Sequence, residues 1–156
     1  MSGPPTNIDP SDLFLQITQM PRPSRLVPFP RKGPDGEPVC QVAFWVMTQA
    51  EKMGAISATE TWVRKQLKDA LASATEARRG YEDLYANRAS LEILFRAARH
   101  PQDLTKPFFR TQKDIADHLT QDEVAVLFNA YLRLEHELGP IVTELTDTEM
   151  EAWLLT

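Results

Sequence analysis

At 156 residues, with 42% hydrophobic, 25% charged and 8% aromatic side chains, the chain has the make-up of one globular domain and excludes a collagen, a coiled-coil rod or a wholly disordered tail. A fold of this size buries about two thirds of the surface its unfolded chain exposes, so the core can stand without disulfides or a structural metal. The 17 basic and 22 acidic residues leave a net charge of -5, which speaks against an affinity built mainly on neutralising phosphates.

The first quarter differs in kind from the rest. Nine of the 12 prolines fall between residues 4 and 38, and proline removes a backbone donor and restricts its predecessor, so residues 1–38 read as an extended arm without regular helix. Leu13, Phe14, Leu15, Ile17, Leu26, Val27 and Phe29 are too many apolar side chains for a solvated linker. They predict packing on the domain or on a partner. Gly33-Pro34-Asp35-Gly36 is a chain reversal, and Val39 to Met47 is a short apolar strand that could pair with Asp12 to Thr18 across it. Any sheet is expected to be small.

Residues 39–156 form the helical domain, whose helix starts are marked by Ser/Thr-x-x-Glu boxes. Thr48 with Glu51, Ser57 with Glu60, Ser73 with Glu76, Thr120 with Glu123 and Thr146 with Glu149 all fit, and Thr111 with Asp114 is a weaker version. Not all can be true starts. The periodicity predicts helices near 49–72, 77–99, 112–119 and 121–138, with a last one from about 147. His100-Pro101 ends the second because proline blocks continuation, and a loop runs from Pro101 to Arg110. Gly139-Pro140 ends the fourth as a positive-φ cap followed by a breaker. The predicted fold is thus mainly α, a helical bundle-like domain with a small β element and an extended proline-rich N-terminal arm.

Charge is distributed unevenly. The local sums are 0 over residues 1–40, +3 over 41–110 and -8 over 111–156. Part of the acidity is helix chemistry, since Asp122, Glu123, Asp147 and Glu149 fall in first turns where the macrodipole favours anions. The remainder makes a face that would repel nucleic acid and suit a basic protein.

No residue pattern points to catalysis. Glu135-His136-Glu137-Leu-Gly lacks the second histidine of a zinc-protease helix, its place being taken by Pro140, so no metal site is expected from His100, His118 and His136. Cys40 is the single cysteine; it closes no internal disulfide, implies a reducing compartment, and beside Val39 and Val42 reads as a core thiol. Loops for phosphate or dinucleotide binding and the serine elbow are missing, so no cofactor is expected. The carboxylate pairs Asp122/Glu123 and Glu149/Glu151 read as first-turn acids. Arg64, Lys65, Lys68, Arg78 and Arg79 with Trp62 form a basic patch that is better read as a solvated helix face than as a nucleic-acid site. No apolar run nears the roughly 20 residues of a membrane span, and the Met1-Ser-Gly-Pro-Pro-Thr start is unlike a signal peptide.

The order of segments carries more than any one motif. Met47-Thr-Gln-Ala-Glu-Lys-Met, Tyr81-Glu-Asp-Leu-Tyr-Ala-Asn, Leu94-Phe-Arg-Ala-Ala-Arg-His-Pro-Gln-Asp, Leu119-Thr-Gln-Asp-Glu-Val-Ala-Val-Leu-Phe-Asn-Ala-Tyr-Leu, Glu137-Leu-Gly-Pro-Ile-Val and Leu145-Thr-Asp-Thr-Glu-Met-Glu-Ala-Trp follow one another. In this the chain resembles the tail assembly chaperones and related small tail-module proteins of long-tailed bacteriophages, over about residues 39–154 and most strongly over 119–154. The resemblance implies a non-enzymatic helical protein of the infected host's cytoplasm that covers the apolar stripes of the tape-measure protein and helps recruit tail-tube subunits. Phe14, Leu26, Phe29, Trp153 and Leu154, near the chain's ends, are the expected partner contacts. Self-association through the same stripes stays open, as does a permanent place in the virion as a minor tail or connector protein. Neither nucleic acid nor membrane is an expected partner.

Overall fold

The computed structural model describes residues 10–68 and 74–139, with positions 148, 151 and 152 besides. Within them the chain runs α1 (Pro10–Gln19), β1 (Ser24–Pro28), β2 (Gln41–Trp45), α2 (Gln49–Leu67), α3 (Ala74–Ala97), β3 (Ala98–His100), β4 (Asp103–Pro107), α4 (Gln112–His118) and α5 (Gln121–Leu138). The protein is mainly helical, with one antiparallel four-stranded sheet in the order β1-β2-β3-β4.

The arm is not uniformly extended. Pro10 stands at the first position of α1, where its missing N–H has no helical partner to lose, and no further proline occurs before Pro21. Residues 12–18 are therefore helix, and the strand that pairs with β2 is 24–28 instead, with Leu26 opposite Ala43 and Pro28 opposite Gln41. The expected reversal does join them: Gly36 donates to the Gly33 carbonyl at 3.0 Å and has φ 80°, a conformation glycine adopts without strain. Residues 24–28 of the arm thus form the sheet's first strand, and Lys32 bridges to Pro38 beyond it.

Alternation along the strands sets which side chains enter the core. Val42 and Phe44 face inward with Val27 and Phe29, and meet Leu94 and Ala97 of α3, Ile115 of α4, and Leu127, Tyr131 and Leu134 of α5. The Phe44 and Tyr131 rings lie 6.1 Å apart. The helices thus share a core with the sheet rather than closing a bundle among themselves, while α2 packs along α3.

Helix ends follow local chemistry closely. Thr120 accepts from the Glu123 N–H at 3.1 Å while the Glu123 carboxylate accepts from the Thr120 N–H at 2.9 Å, a complete capping box. Thr48 and Thr111 cap α2 and α4 through the N–H groups of Glu51 and Asp114, whereas Ser57 and Glu60 lie inside α2 and start nothing. Gly139 caps α5, but with φ -70° and not the expected positive value. A Cβ there would clash with the Glu135 carbonyl oxygen, so glycine is required for space rather than for handedness. Residues 98–100, expected as the end of the second helix, form β3, and 103–107, expected as loop, form β4, with a register shift at Arg99/His100. The Arg99 guanidinium closes this hairpin by donating to the carbonyls of Leu104 and Thr105. Ser73 and the final helix expected from 147, with Trp153 and Leu154, fall outside the described residues.

Candidate protein-docking groove

Three helices leave a groove between them. Ala55, Ile56 and Thr59 of α2 form one wall, Tyr85, Ala89 and Ile93 of α3 the floor, and Tyr131 and Leu132 of α5 the other wall, around a cavity of about 200 Å³. The lining is mostly apolar because α2 and α3 pack through small side chains, and Ala55 and Ala89 leave room that larger residues would fill. Thr59 spends its hydroxyl on the Ala55 carbonyl at 2.7 Å, so it too offers the groove no free polar group. Its rim is unusually apolar for a helical surface. Ile56 of the α2 wall is 46% exposed and Leu132 of the α5 wall 43%, while Met53, one turn before Ile56 on α2 and outside the lining, is 56% exposed.

Polar groups gather at one end. Lys52 Nζ lies 3.1 Å from Glu135, and the Tyr131 hydroxyl donates to the same carboxylate at 2.6 Å while accepting from the Met47 N–H at 3.4 Å. Burial pushes the Tyr131 hydroxyl upward, and its bond to Glu135 pushes it further. For Glu135 burial works toward a higher pKa, but the bonds from Tyr131 and Lys52 outweigh it and hold the carboxylate below its ordinary range. Lys52, Glu135 and Tyr131 thus satisfy one another in a closed network.

The α1 helix presents a second apolar surface. Leu13, Phe14 and Ile17, with Met20 just beyond the helix, lie on one stripe, and all are exposed, Phe14 at 68% and Ile17 at 62%. Its root is held firmly. Arg22 forks onto Glu51 at 2.7 and 3.1 Å, donates to the Val46 carbonyl, and stacks over Trp45 at 3.6 Å.

Of the residues the sequence put forward for partner contact, Phe14 is exposed on α1 and Leu26 is 51% exposed on β1. Phe29 is a correction: it is 8% exposed, inside the core cluster, and its ring lies 5.9 Å from that of Phe108. It follows the turn of β1 toward the helices and so packs within its own chain. Trp153 and Leu154 lie outside the described residues. Cys40 is a second correction, since it sits just before β2 with its thiol exposed. Met53, Ile56 and Leu132 escaped the sequence reading, because their helical spacing is the same signal that marks core residues.

The other candidate chemistries are dispersed. His100, His118 and His136 are exposed on β3, α4 and α5. Among the described residues no group of three His, Cys, Asp or Glu side chains could hold a metal. Glu123 is committed to its capping box and to Arg31 at 2.7 Å. Arg64, Lys65 and Lys68 are exposed on the last turns of α2, and Trp62 packs under Arg88 at 4.8 Å; the Arg78 and Arg79 side chains are outside the described set. No described helix is long and apolar enough to cross a membrane. In comparisons with known proteins, no family model, curated protein or solved structure matches the chain.

Proposed function

We propose that the chain is a non-enzymatic tail assembly chaperone of the long-tailed phage type, which binds the apolar helical stripes of the tape-measure protein in the host cytoplasm and helps recruit tail-tube subunits. The observation that carries this reading is an apolar groove that exposes Ile56 and Leu132, together with an exposed apolar helix, α1. A helix laid in such a groove buries its stripe at spacings of three and four residues, the pattern that a long helical client repeats along its length.

Three of the six segments that carry the resemblance also contribute to this groove. Met47 and Lys52 come from the first, Tyr85 from the second, and Tyr131 and Leu132 from the fourth, and all five line the groove. Leu26 extends the apolar surface on the sheet, and the acidic helix surface of the C-terminal third suits a basic protein such as a tube subunit.

Co-expression with tape-measure and tail-tube proteins of the same phage, followed by pull-down and mass spectrometry of purified particles, tests the proposal. Capture of the tape measure, absence from finished particles, and loss of capture with Leu132→Asp support it. Stoichiometric copies in the virion overturn it in favour of a permanent tail or connector component.

A further inference from the structure

We propose that the root of the arm and the polar end of the groove form one opening unit, coupled through the Val46–Met47 peptide group, with Arg22 as its latch. The inference concerns the chain alone and rests on no client.

The peptide group is held at both of its polar ends. Arg22, from the arm, donates to the Val46 carbonyl through Nη2 at 2.8 Å and Nε at 3.3 Å, while the Met47 N–H of the same peptide donates to the Tyr131 hydroxyl of α5 at 3.4 Å. The peptide is trans, so its carbonyl and N–H point opposite ways and the two side chains grip it from opposite sides. One planar group spans the gap between arm and groove. A cation on the carbonyl oxygen also polarises the N–H, which strengthens its bond to Tyr131.

A second link runs in parallel through the first turn of α2. The Glu51 carboxylate accepts from Arg22 at 2.7 Å and from the Thr48 hydroxyl at 3.1 Å, and the next residue, Lys52, lies 3.1 Å from Glu135, which also accepts from Tyr131. The helix start is tied to the arm by one residue and to α5 by the next. The contacts therefore close a ring: Arg22 to the Val46–Met47 peptide, to Tyr131, to Glu135, to Lys52, to Glu51 and back to Arg22.

Burial decides where this ring opens. Tyr131 is 1% exposed within the core, whereas Arg22 and Glu51 keep 29% and 27% of their side-chain surface in water. Water can replace the arm's contacts but not those of Tyr131. Because one guanidinium serves the Val46 carbonyl, the Glu51 carboxylate and the Trp45 ring together, its departure breaks all three contacts in a single step. The Met47 N–H then loses its polarising cation and the first turn of α2 its tie to the arm, so release of the arm is felt at the groove.

Amide exchange and side-chain NMR of the full chain test this. Arg22→Gln should speed exchange of the Met47 N–H about fivefold or more and shift the Tyr131 ring signals on the far side of the peptide. Tyr131→Phe removes only the hydroxyl and should speed exchange of the Arg22 Nε–H by a similar factor, because coupling between two sites is reciprocal. Arg22→Lys keeps the cation but cannot fork onto both acceptors, so it should give an intermediate rate, and it supplies the reading where Arg22→Gln does not fold. Arg25→Gln breaks the tie of β1 to Glu137 outside the ring and should leave both signals as in the parent. An effect confined to the side of the substitution, an effect in one direction only, or the same loosening in Arg25→Gln overturns the proposal.

Discussion

The face where α3, α4 and α5 meet the sheet and the face where α1 and α2 meet solvent are built from the same residue types. On the first, Phe44, Leu94, Ile115 and Leu127 have no exposed surface. On the second, Phe14, Ile17, Ile56 and Leu132 keep about half of theirs. Nothing in the side chains themselves distinguishes the two sets. The difference is that α3 and α5 each have the sheet opposite them, while among the described residues the outer side of α2 and the apolar stripe of α1 have no layer beyond. An amphipathic helix specifies that a stripe must be covered; topology decides whether the chain itself supplies the cover.

The largest contrast should appear on truncation. Leu94→Ala removes a fully buried side chain and leaves a cavity between α3 and β2, at an expected cost of about 3–5 kcal/mol. Phe14→Ala, with a larger side chain, should change stability of the isolated chain by less than about 0.5 kcal/mol. Urea unfolding of both variants checks the pair. Equal losses would mean that α1 is packed into the core in solution.

Charges sharpen the comparison next. Glu92 of α3 is 1% exposed, yet every lone pair it turns inward is used: Arg88 at 3.0 Å, Arg96 at 2.5 Å and Gln112 at 3.0 Å tie α3 to α4. Burial works to raise its pKa, but the two guanidinium groups and the amide more than offset this and hold it low. Glu92→Ala should cost about 2–4 kcal/mol by thermal or urea unfolding, since Arg88 and Arg96 lose their anion and reach water only in part. A loss under about 1 kcal/mol would show that the α3 to α4 junction does not depend on this cluster.

How much of this could be read from the chain depended on whether the signal was local. The bounds of α5 were legible because Thr120 and Glu123 write a capping box and Gly139-Pro140 writes a stop. The arm misled because proline density was averaged over residues 4–38, hiding the proline-free run of 11–20 behind a proline well placed to start a helix. Residues 98–107 misled for another reason. A three-residue strand and its exposed partner carry no alternation of their own, and they exist through pairing with β2, which no local pattern records. Ile56 and Leu132 were invisible as a site because exposure is a property of what packs opposite.

Acid titration separates a third pair of regions, the ordered hairpin of the arm and the helical layer it is bound to. The Arg31 guanidinium, with the Thr120 N–H behind it, holds Glu123 down to about 2 from an ordinary 4.5. The unfolded chain then binds the proton more readily than the folded one, so stability rises with pH across this window. The contribution is complete above about pH 5 and lost as pH falls from there through about 2. Arg31 is half exposed, so solvent screening keeps this contribution small. Urea midpoints at pH 6 and pH 3 should differ by less in Glu123→Gln than in the parent. An identical pH dependence would assign acid sensitivity to Glu92 and the remaining carboxylates.

The smallest effect among the charged groups is expected at the groove, where an ion pair meets a different environment. Lys52 and Glu135 are 40% and 32% exposed, against 2% for Glu92. Water already solvates both ends, so Lys52→Met should change stability by at most about 1 kcal/mol, about 2–4 °C in melting temperature for a chain of this size. Tyr131 keeps its bond to Glu135 in that variant, which confines the change to the rim. The substitution leaves Glu135 without its cation at the mouth of an apolar groove, so its effect belongs to docking. If Lys52→Met instead unfolds the chain as readily as Glu92→Ala, the groove is part of the closed core, and the division between the two faces fails.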